Sequence, residues 1–178
     1  VSTALAERGI ATLRFDFTGL GESEGEFRDA FANDVRDVVA AADALRSASH
    51  AEAPALLVGH SRGGTAALAA SARIPECTAV ATIGAPYYAS RLAGALDTDG
   101  IASLKKALLI FHSPQDNIVS IDDAREIFVA ARHPKSFVSL DGADHLLGRQ
   151  ADARYVASVL SSWAERYLPS QPDQALRL

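Results

Sequence analysis

The chain has 178 residues, of which 48% are hydrophobic and 22% charged, and its formal net charge is −5. This length suits one domain with a buried core, and the composition is that of a globular protein. The negative charge gives no reason to expect nucleic acid or an anionic membrane as a partner, and no apolar run approaches the roughly 20 residues of a membrane-spanning helix. The single cysteine, Cys77, excludes an internal disulfide.

Strands are predicted to alternate with helices along the chain. A short helix ends at Gly9, and further helices are expected over residues 31–45, 63–72, 122–131 and 151–167, with a less regular segment at 87–104. The predicted strands are Ile10–Phe17, Ala55–Val58, Ala79–Ile83, Ala107–Phe111 and Ser136–Leu140. Their continuous apolar character is typical of a parallel, doubly wound α/β sheet with helices on both faces. In such sheets the active site lies at the carboxyl ends of the strands.

The helix that starts near Phe31 has apolar residues at helical spacing, with Val35 and Val38 on the same side. The pattern assigns its charged residues to the opposite, solvent-facing side. These are Asp34, Arg36, Asp37 and Asp43.

The segment Gly59-His60-Ser61-Arg62-Gly63 fits the pattern G-x-S-x-G between a predicted strand and a predicted helix. This is the sequence context of a nucleophile elbow, in which a sharp turn presents a serine at the N-terminus of a helix. The amide N–H groups and the dipole of that helix favour a developing negative charge. The alternative is a glycine-rich turn in which Ser61 only caps the helix.

Two later loops supply the partners that a nucleophilic serine needs. Asp116 follows the predicted strand Ala107–Phe111, and His145 follows the predicted strand Ser136–Leu140. Both therefore lie at the same sheet edge as Ser61, and the chain order serine, aspartate, histidine is that of an α/β-hydrolase triad. The alternatives are a turn aspartate and a loop histidine.

Other carboxylates and histidines are less suitable candidates. Asp144 adjoins His145 and is poorly placed to bind the same ring, whereas Asp141 is expected to shape a turn and Asp122 and Asp123 to cap a helix. The remaining histidines are His60, expected beneath the elbow, His112 at a strand end, and His50 and His133 at the surface. No cluster has the spacing of metal ligands, and no cofactor is required.

These motifs together resemble the α/β-hydrolase superfamily over nearly the whole chain. The segment FDFTGLGESEG resembles the family's Asp-x-x-Gly-x-Gly-x-Ser turn, through Asp16, Gly19, Gly21 and Ser23. More narrowly, GHSRGG, IGAP, HSPQDNIV and DGADHLL resemble the hydrolase module that bacteria fuse to OsmC-like domains. This resemblance implies a cytoplasmic serine hydrolase, without specifying its substrate, and a possible OsmC-like domain following it. The substrate expected from the triad is a small-molecule ester or thioester.

The expected chemistry is acyl transfer to water through an acyl-enzyme, with Ser61 as nucleophile, His145 as base and Asp116 orienting the ring. The backbone N–H of Arg62 is the expected oxyanion donor. Its side chain, where the family more often has an apolar residue, is expected either to be solvated or to receive an acidic group of a substrate. Tyr87, Tyr88 and Leu92 are expected either to cover the substrate or to pack at the surface.

The chain contains no methionine and begins with Val1, so we expect a fragment or a processed chain. The resemblance implies a hydrolase domain over residues 1–168 that lacks the family's first strands and its second oxyanion donor, followed by a linker-like tail at 169–178. The alternatives to an esterase are a peptidase on the same fold and a non-catalytic module that binds a partner domain.

Overall fold

The computed structural model describes residues 1–49, 55–88 and 93–168. The elements are α1 (Ser2–Ala6), α2 (Phe31–Ser49), β1 (Ala55–His60), α3 (Arg62–Ser71), β2 (Cys77–Ile83), α4 (Thr98–Ser103), β3 (Ala107–His112), α5 (Ile121–Ala130), β4 (Lys135–Ser139) and α6 (Gln150–Ala164). Within the described residues the strands form one four-stranded parallel sheet in the order β1-β2-β3-β4. The predicted parallel α/β sheet is therefore confirmed.

Alternate residues of the central strands face two separate core layers, because successive side chains of a strand point to opposite faces. Val80 and Leu108 are paired in register and belong to a core cluster that includes residues of α2, α3 and α5. Ala81 and Leu109 are the next pair in register and belong to a second cluster that includes residues of α1 and α6. Helices thus cover both faces of the sheet, which leaves its carboxyl edge to carry loops.

The predicted strand Ile10–Phe17 is wrong, since residues 10–17 form neither a helix nor a strand. A strand exists only where a neighbouring strand completes its hydrogen bonds, and among the described residues the outer edge of β1 has no strand beside it. Leu13 and Phe15 accordingly remain 47% and 40% exposed. Only the two ends of the segment reach the core. Ile10 packs against the cluster that contains α1 and α6, and Phe17 packs against the cluster that contains α2 and α3.

The glycine-rich turn after this segment is held together by residues of the Asp-x-x-Gly-x-Gly-x-Ser motif. The Ser23 hydroxyl donates to the carbonyl oxygen of Asp16 at 2.5 Å. Gly21 has a positive φ of 56°, and a Cβ there would lie 2.3 Å from the Asp16 carboxylate. The aspartate side chain therefore occupies the space that only a glycine leaves open.

Part of the segment predicted to be irregular forms a short helix. In α4, the side chain of the N-cap Asp97 accepts a hydrogen bond from the Gly100 N–H at 2.8 Å. The tail at 169–178 lies outside the described residues. None of the helices in the described part of the chain is long and apolar enough to cross a membrane.

Candidate active site

Ser61 occupies a sharp turn between the last residue of β1 and the first residue of α3. Its backbone has φ 51° and ψ −129°, a conformation that non-glycine residues rarely adopt. A Cβ on Gly59 would lie 2.2 Å from the carbonyl oxygen of Gly63, and one on Gly64 would lie 2.7 Å from Ala85 Cβ. Glycine is therefore required on both sides of the serine, and this close packing holds the strained serine in place.

The hydroxyl of Ser61 does not cap the helix that follows it. Its side chain makes no capping hydrogen bond to α3, although the residue stands at the N-cap position. The backbone N–H of Ser61 instead donates to the carbonyl oxygen of Ile83 at 2.8 Å. The turn is thus fixed by the backbone, and the side chain is not used for capping.

Asp116 and His145 are in direct contact at the same edge of the sheet. Their carboxylate Oδ2 and ring Nδ1 are 2.7 Å apart, and the two side chains are 2% and 8% exposed. The other carboxylate oxygen accepts from the backbone N–H groups of Ile118 at 2.9 Å and Val119 at 3.0 Å. A buried carboxylate with three donors is held in one orientation.

These contacts fix the charge of Asp116 and the direction of its hydrogen bond with His145. Burial by itself raises the pKa of Asp116, but the Val119 N–H, the His145 ring and the Ile118 N–H together lower it below its ordinary value. Asp116 is therefore ionised at neutral pH and can only accept, so His145 Nδ1 is the donor. In the neutral ring this leaves Nε2 with a free lone pair, which is the form that a general base requires.

Gly84, directly after β2, connects the serine turn to the aspartate–histidine pair. Its φ is +55°, and a Cβ there would lie 3.3 Å from both the Asp116 carboxylate and the His145 ring. The preceding residue, Ile83, supplies the carbonyl that binds the Ser61 N–H. The three loops predicted to carry Ser61, Asp116 and His145 thus meet around one glycine. In the sequence, this role was indicated by a glycine that directly follows a central strand, at the sheet edge predicted to carry the active site.

His60 contacts the histidine loop directly. Its Nε2 lies 2.7 Å from the backbone carbonyl oxygen of His145, and the two rings have centroids 4.9 Å apart. Since a carbonyl can only accept, Nε2 of His60 carries a proton. The expectation that His60 packs beneath the elbow is wrong, because the residue is exposed at the end of β1.

The side chain of Arg62 forms ion pairs. Its Nε donates to Asp34 at 2.5 Å and its Nη1 lies 2.8 Å from Asp29. Burial lowers the pKa of Arg62, but the two carboxylates outweigh this effect and raise it above its ordinary value. Arg62 is therefore always charged, and it is paired within the protein, so the expectation of a solvated side chain is wrong. A contact between this side chain and an acidic group of a substrate stays a prediction.

The assignment of Asp34 to the solvent-facing side of α2 is wrong, because the residue is 2% exposed. It lies one helical turn from Phe31 and next to Val35, so it shares the inward face of the helix. Its charge is compensated by Arg62, 28 residues away in sequence. Hydrophobic patterning alone could not find this pair.

Tyr87 and Tyr88 pack against the core cluster that contains α2 and α3. The Tyr87 backbone N–H donates to Asp123 Oδ1 at 2.7 Å, and its hydroxyl is 2.8 Å from the hydroxyl of Thr98. The ring of Tyr88 meets Phe31 edge to face at 6.0 Å, and burial raises the pKa of its phenol. A substrate contact by either tyrosine stays a prediction, and Leu92 lies outside the described residues.

The other carboxylates have local roles. The Asp144 side chain accepts from the Gly148 N–H at 2.8 Å, and Asp141 accepts from the Ser139 hydroxyl at 2.6 Å. The expectation that Asp122 and Asp123 cap α5 is wrong, because Ser120 is the N-cap and its side chain accepts from the Asp122 N–H. Among the described residues, no group of three histidine, cysteine, aspartate or glutamate side chains could hold a metal ion.

Comparisons with known proteins agree with this fold. The family model described as serine aminopeptidase, S33, matches residues 1–96, which is more than half of the chain. The esterase domain of a Rhodothermus marinus protein is 44% identical, superposes with a TM-score of 0.75, and is matched over 93% of this chain and 77% of that domain. The putative α/β-hydrolase ATU1826 from Agrobacterium tumefaciens, at 20% identity, has a TM-score of 0.76 over 95% of this chain and 78% of its own.

Among curated sequences, the uncharacterized protein RP471 of Rickettsia prowazekii is 29% identical over 79% of this chain. The chain spans 60% of the length of that relative and 65% of the length of the uncharacterized protein YfhR of Salmonella typhi. The covered parts include the region of the serine turn.

The parallel sheet, the helices on both faces and these relatives define an α/β-hydrolase fold of the serine hydrolase type. The chain belongs to the family described as serine aminopeptidase, S33.

Proposed function

We propose that this protein hydrolyses carboxylic esters or thioesters through an acyl-enzyme on Ser61. The observation that carries the proposal is the buried 2.7 Å contact between Asp116 and His145, beside the strained turn of Ser61. A serine in a rarely populated conformation, a histidine with a free Nε2 and a carboxylate on its Nδ1 are the parts of a nucleophilic site.

In the proposed first step, His145 Nε2 removes the proton from Ser61 Oγ as that oxygen attacks the carbonyl carbon. The negative charge that forms on the carbonyl oxygen is stabilised by the backbone N–H of Arg62. This N–H is free for the purpose, because the first N–H groups of a helix have no acceptor within the helix. Ionised Asp116 stabilises the positive charge that the His145 ring gains.

In the second step, the carbonyl re-forms and the bond to the leaving group breaks. His145 gives its proton to the departing alcohol or thiol, which leaves Ser61 acylated. A water molecule then attacks the acyl carbon while His145 accepts one of its protons. Collapse of this second intermediate returns the proton to Ser61 Oγ and releases the carboxylic acid.

Two sources favour different acyl substrates. The relative from Rhodothermus marinus, at 44% identity, is described as an esterase domain, whereas the family description names an aminopeptidase. We favour ester hydrolysis because the Rhodothermus marinus domain is 44% identical and is matched over 93% of this chain, whereas the family model matches residues 1–96. A peptidase and a non-catalytic module remain the competing outcomes of the test.

The test compares two substrate panels that differ in the bond to be broken. p-Nitrophenyl esters of two to eight acyl carbons report on ester hydrolysis, and aminoacyl p-nitroanilides report on aminopeptidase activity. We expect turnover of the esters that is abolished by Ser61→Ala, with little turnover of the anilides. Preferential cleavage of the anilides would reverse the substrate assignment, and activity with neither panel would favour the non-catalytic module.

A further inference from the structure

The side chain of Arg62 connects the start of α3 to α2. Its Nε and Nη1 bind two different carboxylates, from Asp34 at 2.5 Å and Asp29 at 2.8 Å. Its guanidinium carbon lies 5.8 Å from the centre of the Phe31 ring. The side chains of Asp29, Phe31 and Asp34 thus together hold the guanidinium group. Its planar shape with several N–H donors suits such fixed contacts.

The contact to Asp34 differs from that to Asp29 in burial. The Asp34 side chain is 3% exposed, whereas that of Asp29 is 74% exposed. Water and salt weaken an exposed pair, but they screen a buried pair much less. The geometry at Arg62 is therefore determined mainly by Asp34.

This anchored residue also carries the proposed oxyanion donor. Arg62 is the first residue of α3, directly after the strained Ser61. Its side chain is fixed to α2, so its backbone N–H is held relative to a second helix as well as to its own. Donors that are fixed before the reaction stabilise an oxyanion without reorganising.

We propose that Arg62 and Asp34 form a positioning pair that sets the place of the Arg62 N–H, and with it the oxyanion end of α3. This proposal rests on the proposed function, because it concerns the rate of the acyl-transfer step. Asp34 also balances the charge of an arginine in the first turn of a helix, where a cation is unfavourable.

The pair predicts a specific pattern of losses. Arg62→Lys keeps the charge but loses the fork that reaches both carboxylates, and Asp34→Asn keeps the shape but loses the charge. A displacement of about 1 Å at a reacting centre can cost on the order of a hundredfold, so we expect each variant to lower kcat by roughly 10- to 100-fold with KM changed by less than about threefold. We expect the double variant to lose much less kcat than the product of the two single losses, because all three variants lack the same contact between Arg62 and Asp34.

Matched controls come from the exposed pair of Asp43 and Arg46 on α2, whose atoms are 2.6 Å apart. Asp43→Asn and Arg46→Lys make the same chemical changes on the same helix, and we expect kcat to change by less than about twofold. Thermal unfolding of every variant accompanies the kinetics.

The experiment measures kcat and KM for p-nitrophenyl butyrate, with active sites counted by the end point of irreversible fluorophosphonate labelling, which does not depend on the rate of acylation. Counting active sites separates a lower rate per site, which positioning predicts, from a smaller folded fraction, which a merely structural role predicts. A turnover per site that is unchanged in both single variants would overturn the proposal, as would a loss confined to the number of sites. If Asp34→Asn unfolds, Arg62→Lys decides alone.

The two proposals fail differently. Absence of Ser61-dependent turnover in the wild-type protein would overturn the proposed function and this inference with it. Normal wild-type turnover with normal turnover per site in the variants would overturn only the positioning role.

Discussion

His60 and His145 are joined by a 2.7 Å contact between the ring Nε2 of His60 and the backbone carbonyl oxygen of His145. His60 is the last residue of β1 and directly precedes Ser61. The strand that ends in the proposed nucleophile therefore also holds the loop of the proposed base. Any shift of this loop changes the distance between the two reacting groups.

Replacement of His60 should show how much this contact contributes. His60→Leu removes the donor, and we expect a roughly tenfold lower kcat together with a loss of about 1 kcal/mol in the free energy of unfolding, which is typical of one hydrogen bond. His60→Gln keeps an N–H donor of similar reach and should retain more activity. Steady-state kinetics and urea unfolding provide both values. Equal losses in the two variants would show that the ring, and not its hydrogen bond, is what matters.

Asp116→Asn should leave the fold intact but remove most of the activity. The amide cannot stabilise a charged His145 and does not enforce its tautomer, so we expect kcat to fall by roughly a thousand- to ten-thousandfold. Esterase assays at neutral pH measure this loss. Retention of more than a tenth of the wild-type kcat would show that another group supports His145.

The pKa of Asp116 also predicts how stability depends on pH. It lies below the ordinary value of 3.8, so this carboxylate contributes stability that is present above that value and is lost as the pH falls through the lower, folded value. The difference in free energy of unfolding between the wild type and Asp116→Asn should therefore shrink as the medium is acidified below about pH 4. Urea unfolding from pH 7 to pH 3 measures it. A difference that grows in acid would contradict the direction of the pKa shift.

Gly84→Ala should impair both stability and catalysis. A Cβ at this residue would lie 3.3 Å from Asp116 and His145, and the positive φ strains any side chain. We expect a cost of about 1–2 kcal/mol in stability and at least a tenfold loss of kcat.

Gly9→Ala is the matched control for this substitution. Gly9 has φ +74°, and a Cβ there would meet no other atom within 4 Å, so the alanine suffers the same backbone strain in open space. It should lose stability without losing activity. Equal kinetic effects at Gly9 and Gly84 would show that general destabilisation causes both.

The placement of Ser61, His145 and Asp116 at one edge of the sheet was predictable because each follows an apolar strand in a parallel sheet, where topology brings the strand ends together. The burial of Asp34 was not predictable, because a carboxylate on a helix is assigned to solvent unless its distant partner is known. The strand predicted at Ile10–Phe17 failed for a related reason. Apolar alternation describes one face of a strand, whereas the strand itself depends on a neighbour that local sequence does not specify.

Single and double substitutions of the two reacting groups test whether they form a unit. Ser61→Ala and His145→Ala should each remove most of the esterase activity, and the double variant should be scarcely worse, because residues that act in one step are not additive. The kcat values of the two single variants and the double variant, measured at saturating ester concentration, show whether the losses multiply. Losses that multiply would indicate two independent contributions.

The assignment of Ser61 as the nucleophile is tested most directly by the site and rate of reaction with a fluorophosphonate probe. We expect one adduct, located by peptide mass spectrometry on Ser61, with no labelling of Ser61→Ala and labelling of His145→Ala slowed by at least about a hundredfold. The exposed serine of α4 provides the control, and Ser103→Ala should react like the wild type. An adduct on another residue, or labelling of Ser61→Ala at the wild-type rate, would contradict the assignment of Ser61 as the nucleophile.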